Sequence, residues 1–575
     1  LVPLHRRCRS GGHYSYSDPH AAMNAHGTSR SDWKLASCVL PLVALLAVLP
    51  LVHYGCSCGH DFDFHIVSWM EAATQFLHGN LHPQWAFTQA YNAGEPRFVF
   101  YPPLSWTVGA ILGLIVPWSV TPIVYTWLVL TAAGLGCYRL LRDFAPASTA
   151  LLIAAIYAVN PYMLFTAYER TAYAELLAAA WLPLLLHAIL RRKVTAMGIA
   201  LPIALLWLTN APAAVIGCYG LAILASVRIL AMFRAGDTPA AFMLLRSTSV
   251  GTVLGLGLAA FYVLPAAYER RYVHITMAIT NDGMAIVDNF LFHHTSDPDH
   301  DRVLRTASLI AVGLLLVTAF SLLLTFLRRK REDEDFSTVS ALAVLTAVIA
   351  FLLTPFSALV WRFAPELPFL QFPWRFLALL TPMLALTLAL LLRGLRATRA
   401  QTIAASLLLA VASTAGGYYA FHQICYPEDT VAAHVALYHS PLGTEPTDEY
   451  TPLTADNDSL SQSNPSYWLT DKPDAKPPAN STAAPLHWPL NLTSDKQQLL
   501  ILNLRDYPAW RITLNQHLVT KRLPRDDGLI ALPIPAGPAH LEITYARSPD
   551  QTAGWAISAL SLAELALLVR RRRIR

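Results

Sequence analysis

The sequence predicts a polytopic α-helical membrane protein with a small β-sandwich-like domain near its C-terminus. Of the 575 residues, 54% are hydrophobic and only 14% are charged, whereas soluble domains average roughly 25% charged residues. Apolar stretches close to the roughly 20 residues that cross a bilayer recur along the chain, beginning with residues 35–54. After residue 498, short β-prone runs alternate with Pro, Gly and Asp, a pattern typical of antiparallel strands.

The apolar segments are long and numerous enough for roughly 11 to 14 crossings. The candidate spans cover residues 35–54, 104–116, 123–141, 149–165, 174–190, 196–208, 213–230, 250–264, 308–327, 341–353, 376–392, 403–419 and 555–569. The segment before them lacks a small-residue cleavage signature, so we expect the first span to be retained.

Clusters of Lys and Arg between the apolar segments predict the orientation in the membrane. These basic residues lie at 191–193, 328–331, 393–399 and 570–573, and such an excess marks the cytoplasmic side. Both termini are then cytoplasmic, and residues 55–102, 267–303 and 420–552 lie outside. The segments between 102 and 420 are odd in number, so one of them is not a full crossing. The short segment 104–116 could be re-entrant.

This orientation divides the chain into five parts. Residues 1–34 form a cytoplasmic tail, and 35–421 form the transmembrane domain. Residues 422–498, rich in Pro, Ser and Asn, are predicted to be an extracytoplasmic connector. Residues 499–552 form the β domain, with strands at 499–504, 510–514, 529–534 and 540–545, and 553–575 form the last span and a basic tail.

Charge and cysteine content exclude some classes of function. The net charge of +5 is small and its basic residues lie between spans, so no nucleic-acid partner is predicted. The chain has no Walker loop, nucleophile elbow, zinc-protease motif or dinucleotide-binding glycine pattern. Cys56, Cys58 and Cys425 could share one compartment, either as free thiols or with Cys425 joined to one of the other two.

The first candidate site follows the first span. Asp61, Asp63 and His65 lie within a stretch of five residues. If the segment is helical, Asp61 and His65 share a face, a spacing that suits a metal site or a base with an orienting partner. The alternative is a set of solvated or helix-capping residues. A carboxylate at the membrane surface can bind a divalent ion or accept a proton from a hydroxyl nucleophile.

Two further candidate sites lie at the ends of later spans. Arg170 and Glu175 stand between two apolar segments, where ionisable residues are costly and often functional, although a structural ion pair is also compatible. Trp374 and Arg375 stand at the entry to another span. They could be an interfacial aromatic and a snorkelling anchor, or Arg375 could bind a phosphate with two hydrogen bonds. The His- and Asp-rich stretch 268–305 could line an acceptor or metal site, but it has no recognised ligand spacing and a solvated loop is favoured.

These segments together resemble a bacterial membrane family labelled as 6-pyruvoyl-tetrahydropterin-synthase-related, within the GT-C class of membrane glycosyltransferases. The resemblance covers most of the chain beyond residue 35. It rests on the Asp61 to His65 stretch with Gly79, Pro83 and Trp85, on Phe100-Tyr101-Pro102, on Arg170 to Glu175, on Phe372-Pro373-Trp374-Arg375, and on Asp448-Glu449-Tyr450.

The resemblance implies a GT-C-like fold and transfer of a hexosyl or pentosyl group from a polyprenyl-phosphate-linked donor. Asp61, with Asp63 as its rival, would be the catalytic acid residue in the first outer loop, assisted by His65. Tyr101, Arg170, Glu175, Trp374 and Arg375 would bind substrate.

The implied setting is the outer face of the bacterial cytoplasmic (inner) membrane. The acceptor would be a glycan, lipid or protein, and membrane lipids would surround the chain. A divalent cation, Mg²⁺ or Mn²⁺, is a possible cofactor held by Asp61 and His65. A lipid or polysaccharide transporter and a non-catalytic scaffold for cell-envelope glycan assembly are the alternatives. The glycosyltransferase hypothesis requires Asp61 and Arg375 to meet in one outward-facing cavity.

Overall fold

A computed structural model describes residues 30–281, 283–328 and 335–574 of the chain. Most of the predicted cytoplasmic tail, residues 1–29, lies outside these ranges, as do Asp282 and the basic residues 329–331.

Helices dominate the described residues. In the first half of the chain they are α1 Arg30–Tyr54, α2 Phe62–Leu77, α3 Arg97–Phe100, α4 Pro103–Ile115, α5 Thr121–Leu141, α6 Ala147–Ala158, α7 Pro161–Tyr168, α8 Tyr173–Ala178, α9 Leu182–Leu190, α10 Ala196–Thr209 and α11 Ala211–Arg234. In the second half they are α12 Thr238–Leu258, α13 Ala260–Glu269, α14 Met277–Thr280, α15 Pro298–Leu327, α16 Asp335–Leu352, α17 Ala358–Phe363, α18 Leu377–Leu392, α19 Arg399–Phe421, α20 Val431–Tyr438 and α21 Pro549–Ile574.

Ten helical segments in the described ranges are long and apolar enough to cross a membrane, or eleven with one bent pair. This confirms the predicted polytopic α-helical architecture. The spans are Arg30–Tyr54, Thr121–Leu141, Ala147–Tyr168, Tyr173–Leu190, Ala211–Arg234, Thr238–Leu258, Pro298–Leu327, Pro373–Leu392, Arg399–Phe421 and Pro549–Arg571. The bent pair, Ser337–Leu352 with Pro355–Phe363, turns by 94° at a proline that cannot continue the helix.

The short helix α4 is not among the segments long enough to cross a membrane. The residues that follow it lie at the same end of the first span as Cys56, because Cys56 Sγ is 4.0 Å from Ser119 O. The next helix, α5, ends at the opposite side, where Arg142 lies 3.8 Å from Asp32. The predicted span 196–208 corresponds to α10, a second apolar helix that is shorter than a span. Two of the predicted segments, 104–116 and 196–208, are therefore candidates for the one that does not cross.

The C-terminal domain is a sandwich of two antiparallel sheets. Its strands are β1 Tyr467–Thr470, β2 Leu490–Ser494, β3 Gln498–Arg505, β4 Trp510–Leu514, β5 His517–Leu518, β6 Leu529–Ile534 and β7 Gly537–Tyr545. One sheet has the order β1-β3-β6 and the other β2-β7-β4-β5. All four predicted strands are present. Buried residues alternate with less buried ones in β4 and β7, whereas β3 and β6 are short apolar runs that are buried almost throughout.

The predicted connector, residues 422–498, is partly wrong. Strands β1 and β2 lie within it and complete the two sheets, so the β domain is larger than 499–552. Both strands are short, and β2 has the polar sequence Leu-Asn-Leu-Thr-Ser, so their pairing rather than their composition makes them strands. The last helix also begins at Pro549, before the predicted boundary at 553.

The β domain packs directly on the loop that follows the first span. Its core of Leu500, Leu502, Ile512 and Ile543 also includes Trp85 from that loop. The Trp85 ring lies edge-on to Trp510 with centroids 5.2 Å apart. This contact fixes the loop and the β domain as one body above the spans.

Candidate functional site

The loop carrying Asp61 docks, backbone to backbone, on the turn between α7 and α8. The Asp61 N–H donates to Arg170 O at 2.9 Å, and Ser57 Oγ donates to Tyr168 O at 2.7 Å. Gly59 permits this approach, because a Cβ there would lie 2.2 Å from Glu169 O. These contacts fix the position of the loop on the turn and place Asp61 beside Arg170.

A third segment, following α19, closes this arrangement. The Gln423 N–H donates to Ser57 Oγ at 2.8 Å, and Gln423 Nε2 donates to Glu169 Oε2 at 2.7 Å. A disulfide joins Cys58 to Cys425. Of the alternatives left open by the sequence, the structure selects this pairing, and Cys56 is free.

Arg170 lies at a sharp break between two helices of the membrane domain. The following residue, Thr171, is fully buried and has φ +48°, a left-handed conformation that costs a non-glycine residue energy. This break turns the Arg170 side chain inward, where it is 6% exposed. Its Nη1 donates to Glu175 Oε2 at 2.7 Å, and its Nη2 lies 3.9 Å from Asp61 Oδ2.

Arg375 reaches the same carboxylate from the opposite side. Its Nε lies 3.6 Å from Glu175 Oε2 but has no hydrogen-bond partner among the described residues. Its Nη1 donates to Leu370 O at 2.8 Å and to Gln371 Oε1 at 3.1 Å. Gln371 has φ +61°, so a second left-handed residue lies beside this cluster.

Trp374 and Tyr162 complete the contacts of this charge cluster. The Arg170 guanidinium lies over the Trp374 ring, 4.7 Å from its centroid, which favours a cation–π interaction. The Tyr162 hydroxyl donates to Glu175 Oε1. Trp374, predicted as an interfacial aromatic or a binding residue, is 3% exposed and lies inside the protein.

A cavity of about 1040 Å³ lies above the cluster. Its lining includes Asp61, His65, Tyr101, Arg170, Glu175, Trp374 and Arg375. The requirement that Asp61 and Arg375 share one cavity is therefore met. The Asp61 side chain is 43% exposed, so its carboxylate is open to a ligand, whereas Glu175, 5% exposed, is occupied by the two arginines.

Asp63, the predicted rival of Asp61, does not line the cavity. It is exposed in the first turn of α2. Two helical residues are separated by roughly 200° around the axis, so the two acids point to different sides. The placement favours Asp61 over Asp63.

His65 is buried among aromatic rings rather than among carboxylates. Its ring centroid lies 5.3 Å from that of Tyr173, 5.9 Å from Tyr101 and 6.0 Å from Trp69. Burial, together with the positive charges of Arg97 and Arg170, lowers the pKa of His65 to about 3. His65 is therefore neutral and a weak base at physiological pH.

The predicted metal ligands do not form a typical divalent-cation site. Asp61 and His65 supply one carboxylate and one imidazole, and a guanidinium already lies 3.9 Å from the carboxylate. Mg²⁺ and Mn²⁺ prefer several oxygen ligands. Across residues 30–281, 283–328 and 335–574, no three His, Cys, Asp or Glu residues are grouped to hold a metal ion. The divalent cation stays a prediction.

Sequence reasoning missed part of the cavity lining. Residues 445–450, from the predicted connector, form one wall; Asp448-Glu449-Tyr450 carry part of the family resemblance but were not predicted to line the site. Asn289 and His300, from the stretch favoured as a solvated loop, also line the cavity. Tyr162 was missed as well. A tyrosine within an apolar span is a weak signal for a buried polar partner, and here that partner is Glu175.

Comparison with known proteins finds limited similarity. The arabinofuranosyltransferase AftD from Mycobacteria is 17% identical, with a TM-score of 0.40, over 68% of this chain and 27% of AftD. A structure of an AftD mutant gives 15% identity and a TM-score of 0.40, over 68% of this chain and 28% of that chain. This chain therefore spans less than a third of the length of AftD.

No protein-family model and no curated protein matches the chain. Membership of the 6-pyruvoyl-tetrahydropterin-synthase-related family thus remains a prediction. The functional argument rests on the cavity and its residues.

Proposed function

We propose that this chain is a GT-C type membrane glycosyltransferase that moves a hexosyl or pentosyl group from a polyprenyl-phosphate-linked donor to an acceptor. The observation that carries the proposal is the shared cavity, in which the open carboxylate of Asp61 lies beside Arg170 and Arg375 at the ends of membrane spans. A donor whose polyprenyl chain lies in the bilayer would have its phosphate at the membrane surface, where these spans end.

The donor phosphate binds to the two arginines. Guanidinium groups match phosphate oxygens with paired hydrogen bonds, and Arg375 Nε has no hydrogen-bond partner in the part of the chain that the structure describes. Glu175 holds both guanidinium groups in place. As the bond between the anomeric carbon and the phosphate oxygen breaks, negative charge develops on the leaving phosphate, and fixed positive charge stabilises it.

Asp61 is the general base. An acceptor hydroxyl loses its proton to the Asp61 carboxylate while its oxygen bonds to the anomeric carbon, and polyprenyl phosphate leaves with the bonding electron pair. His65 is a poor proton acceptor because its pKa is about 3. In this proposal His65 instead packs against Tyr101 and keeps the cavity wall rigid.

The cavity opens to the outer face of the cytoplasmic membrane in this proposal. The disulfide between Cys58 and Cys425 supports that side, because disulfides persist in oxidising compartments such as the bacterial periplasm. The basic clusters assigned to the cytoplasmic side give the same orientation.

The decisive experiment compares D61N with D63N. The full chain is purified in detergent, reconstituted, and given a panel of polyprenyl-phosphate sugars, with turnover followed by mass spectrometry. General-base catalysis contributes roughly 10²–10⁴-fold, so D61N should lose at least about 100-fold in rate. D63N makes the same chemical change outside the cavity and should retain wild-type turnover.

Both variants should elute as a single species and melt at the wild-type temperature. Transfer by D61N at the wild-type rate would remove Asp61 from the mechanism. If wild-type protein consumes no donor on the panel, the glycosyltransferase proposal itself fails.

A further inference from the structure

The charges that line the cavity are unevenly distributed. The lining contains six carboxyl and three guanidinium side chains. The two arginines proposed to bind phosphate lie at the ends of spans, and Arg270 is paired with Glu366 at 3.1 Å. Three of the carboxyl groups lie in residues 445–450, which contain no Lys or Arg. We call residues 445–450 the acidic wall.

The acidic wall is held in place by its own hydrogen bonds. Asp448 accepts from Asn457 Nδ2 at 2.7 Å and from Asn281 Nδ2 at 3.0 Å. The Thr447 N–H donates to Glu95 Oε2 at 2.8 Å. Both carboxylate oxygens of Asp448 are thus used to fix the wall, which is preorganised without a ligand.

Two side chains that line the cavity can accept hydrogen bonds from a ligand. The Asn289 side chain is fully buried and donates to Gly283 O and Ala285 O, but its Oδ1 has no partner among the residues that the structure describes. Glu449, which is half-buried, also lines the cavity. Burial raises the pKa of Glu449 and the charges of Glu95 and Asp448 act in the same direction, whereas its own backbone N–H and the charge of Arg97 act in the opposite direction. A buried acceptor without a partner is stabilised by a ligand that donates a hydrogen bond.

Aromatic faces lie beside these acceptors. Tyr450 stacks on Phe100, with centroids 5.7 Å apart and the ring planes at 11°, and both residues line the cavity with Tyr101. Flat aromatic surfaces next to a few polar groups are typical of sites that orient small organic ligands. The C–H faces of a sugar ring pack well on such surfaces.

The acidic wall and the two arginines line the same cavity. Its volume of about 1040 Å³ is at the upper end of the range for pockets that hold a single drug-sized ligand, about 300–1,000 Å³. A ligand at the arginines would therefore lie close to groups on the acidic wall.

On the basis of the proposed function, we infer that the acidic wall binds the acceptor and selects an uncharged polyhydroxyl compound, a neutral glycan, over one bearing carboxylate or phosphate groups. Glu449 is the specificity-determining residue. Hydroxyl groups of the acceptor donate to Glu449 and Asn289, whereas an anionic acceptor meets like charge, which is strongly unfavourable in a confined site.

The test uses the full chain in nanodiscs with a donor that the wild-type protein consumes. The acceptor probes are two matched pairs that differ only at C6: nitrophenyl glucoside with nitrophenyl glucuronide, and nitrophenyl galactoside with nitrophenyl galacturonide. We expect kcat/KM to be at least about tenfold higher for the neutral member of each pair. In E449Q the ratio of kcat/KM between the neutral and the anionic acceptor should be about tenfold smaller. The change should appear in the KM of the acceptor, and the KM of the donor should stay the same.

The matched control is E428Q, the same change at an exposed residue outside the cavity lining, which should keep the wild-type ratio. Hydrolysis of the donor without acceptor shows that each variant is folded. Equal or better use of the uronides, identical ratios for E449Q and E428Q, or donor hydrolysis without transfer to any neutral glycoside would each overturn the inference. A wild-type protein that neither hydrolyses nor transfers any donor overturns the proposed function, and the inference with it.

Discussion

Two of the buried carboxylates of this molecule, Glu175 and Glu269, have opposite surroundings. Glu175, beside the cavity, is held between the guanidinium groups of Arg170 and Arg375. Glu269, at the junction of the membrane and β domains, is 2% exposed and accepts hydrogen bonds from Tyr507 at 2.6 Å and Gln551 at 3.0 Å. Glu175 neutralises the positive charge of two arginines, whereas Glu269 accepts hydrogen bonds from uncharged side chains.

The difference separates two functions of buried charge. At the cavity, ion pairs fix two arginines that can then bind an anion. At the junction, one carboxylate ties α13 to the β domain and to the last helix without a cation. Mutations near Glu175 should therefore change stability by leaving charges unpaired. A change of pH should change stability through the protonation of Glu269.

Removing Glu175 should have the largest effect on stability. E175A would leave two guanidinium groups close together and without a counter-ion, and breaking a buried ion pair in this way costs about 3–5 kcal/mol. The free energy of unfolding of the full chain in detergent measures this, with E428Q as an exposed control. An E175A protein as stable as E428Q would mean that water or another group neutralises the arginines.

Removing the disulfide should have the next largest effect. C58A/C425A releases a link across 367 residues of sequence, and disulfides typically stabilise proteins by about 2–4 kcal/mol. The loop that carries Asp61 would also loosen, so the rate of transfer should fall more than the affinity for donor. Unfolding and turnover assays measure these effects, with C56A, at the free neighbouring thiol, as the control.

The same covalent link distinguishes the two regions, because the Glu269 junction has none. Treatment with a reductant should lower the rate of sugar transfer by the wild-type protein. The rate of the C58A/C425A variant should not change, because it has no Cys58–Cys425 disulfide to reduce. Equal sensitivity of the two proteins to the reductant would assign the effect to another site.

The pH dependence of stability should come from Glu269. Burial raises the pKa of Glu269 from 4.5 to about 7, so the folded protein keeps a proton that the unfolded chain loses. Its stabilising contribution is complete below pH 4.5 and is lost as the pH rises to about 7. Each pKa unit corresponds to about 1.4 kcal/mol.

The melting temperature in detergent between pH 5 and 8 tests this effect. The wild-type protein should lose stability over that range, and E269Q should have a flatter profile because its amide does not titrate. If the melting temperature of E269Q depends on pH as steeply as that of the wild-type protein, a group other than Glu269 causes the pH dependence.

The sequence predicted the parts of this architecture that follow from local physics. Spans are visible because the bilayer sets their length and polarity. Strands β4 and β7 are visible because they alternate around a buried face, and β3 and β6 are visible as short apolar runs that are buried almost throughout. The meeting of Asp61 and Arg375 was predicted because both lie at span ends on the same predicted side. Their roles in catalysis and binding remain predictions.

Other features depend on contacts that no local pattern encodes. The acidic wall lies in a segment without periodicity, and its position depends on hydrogen bonds from Asn281 and Asn457 to Asp448. The choice of Cys58 over Cys56 as the partner of Cys425 depends on how the loop docks on the turn at Arg170. Strands β1 and β2 form through pairing with distant residues.

The smallest effect is expected at His65, and it sharpens the distinction between charge and packing within the cavity. Because the pKa of His65 is about 3, the imidazole stays neutral between pH 5 and 8. H65N should change the rate of transfer through altered packing against Tyr101 and Tyr173, but the shape of the pH–rate profile should match the wild-type profile. Loss of an inflection between pH 5 and 8 in H65N would show that His65 gains or loses a proton during turnover, and the cavity would then contain a second proton-transfer group beside Asp61.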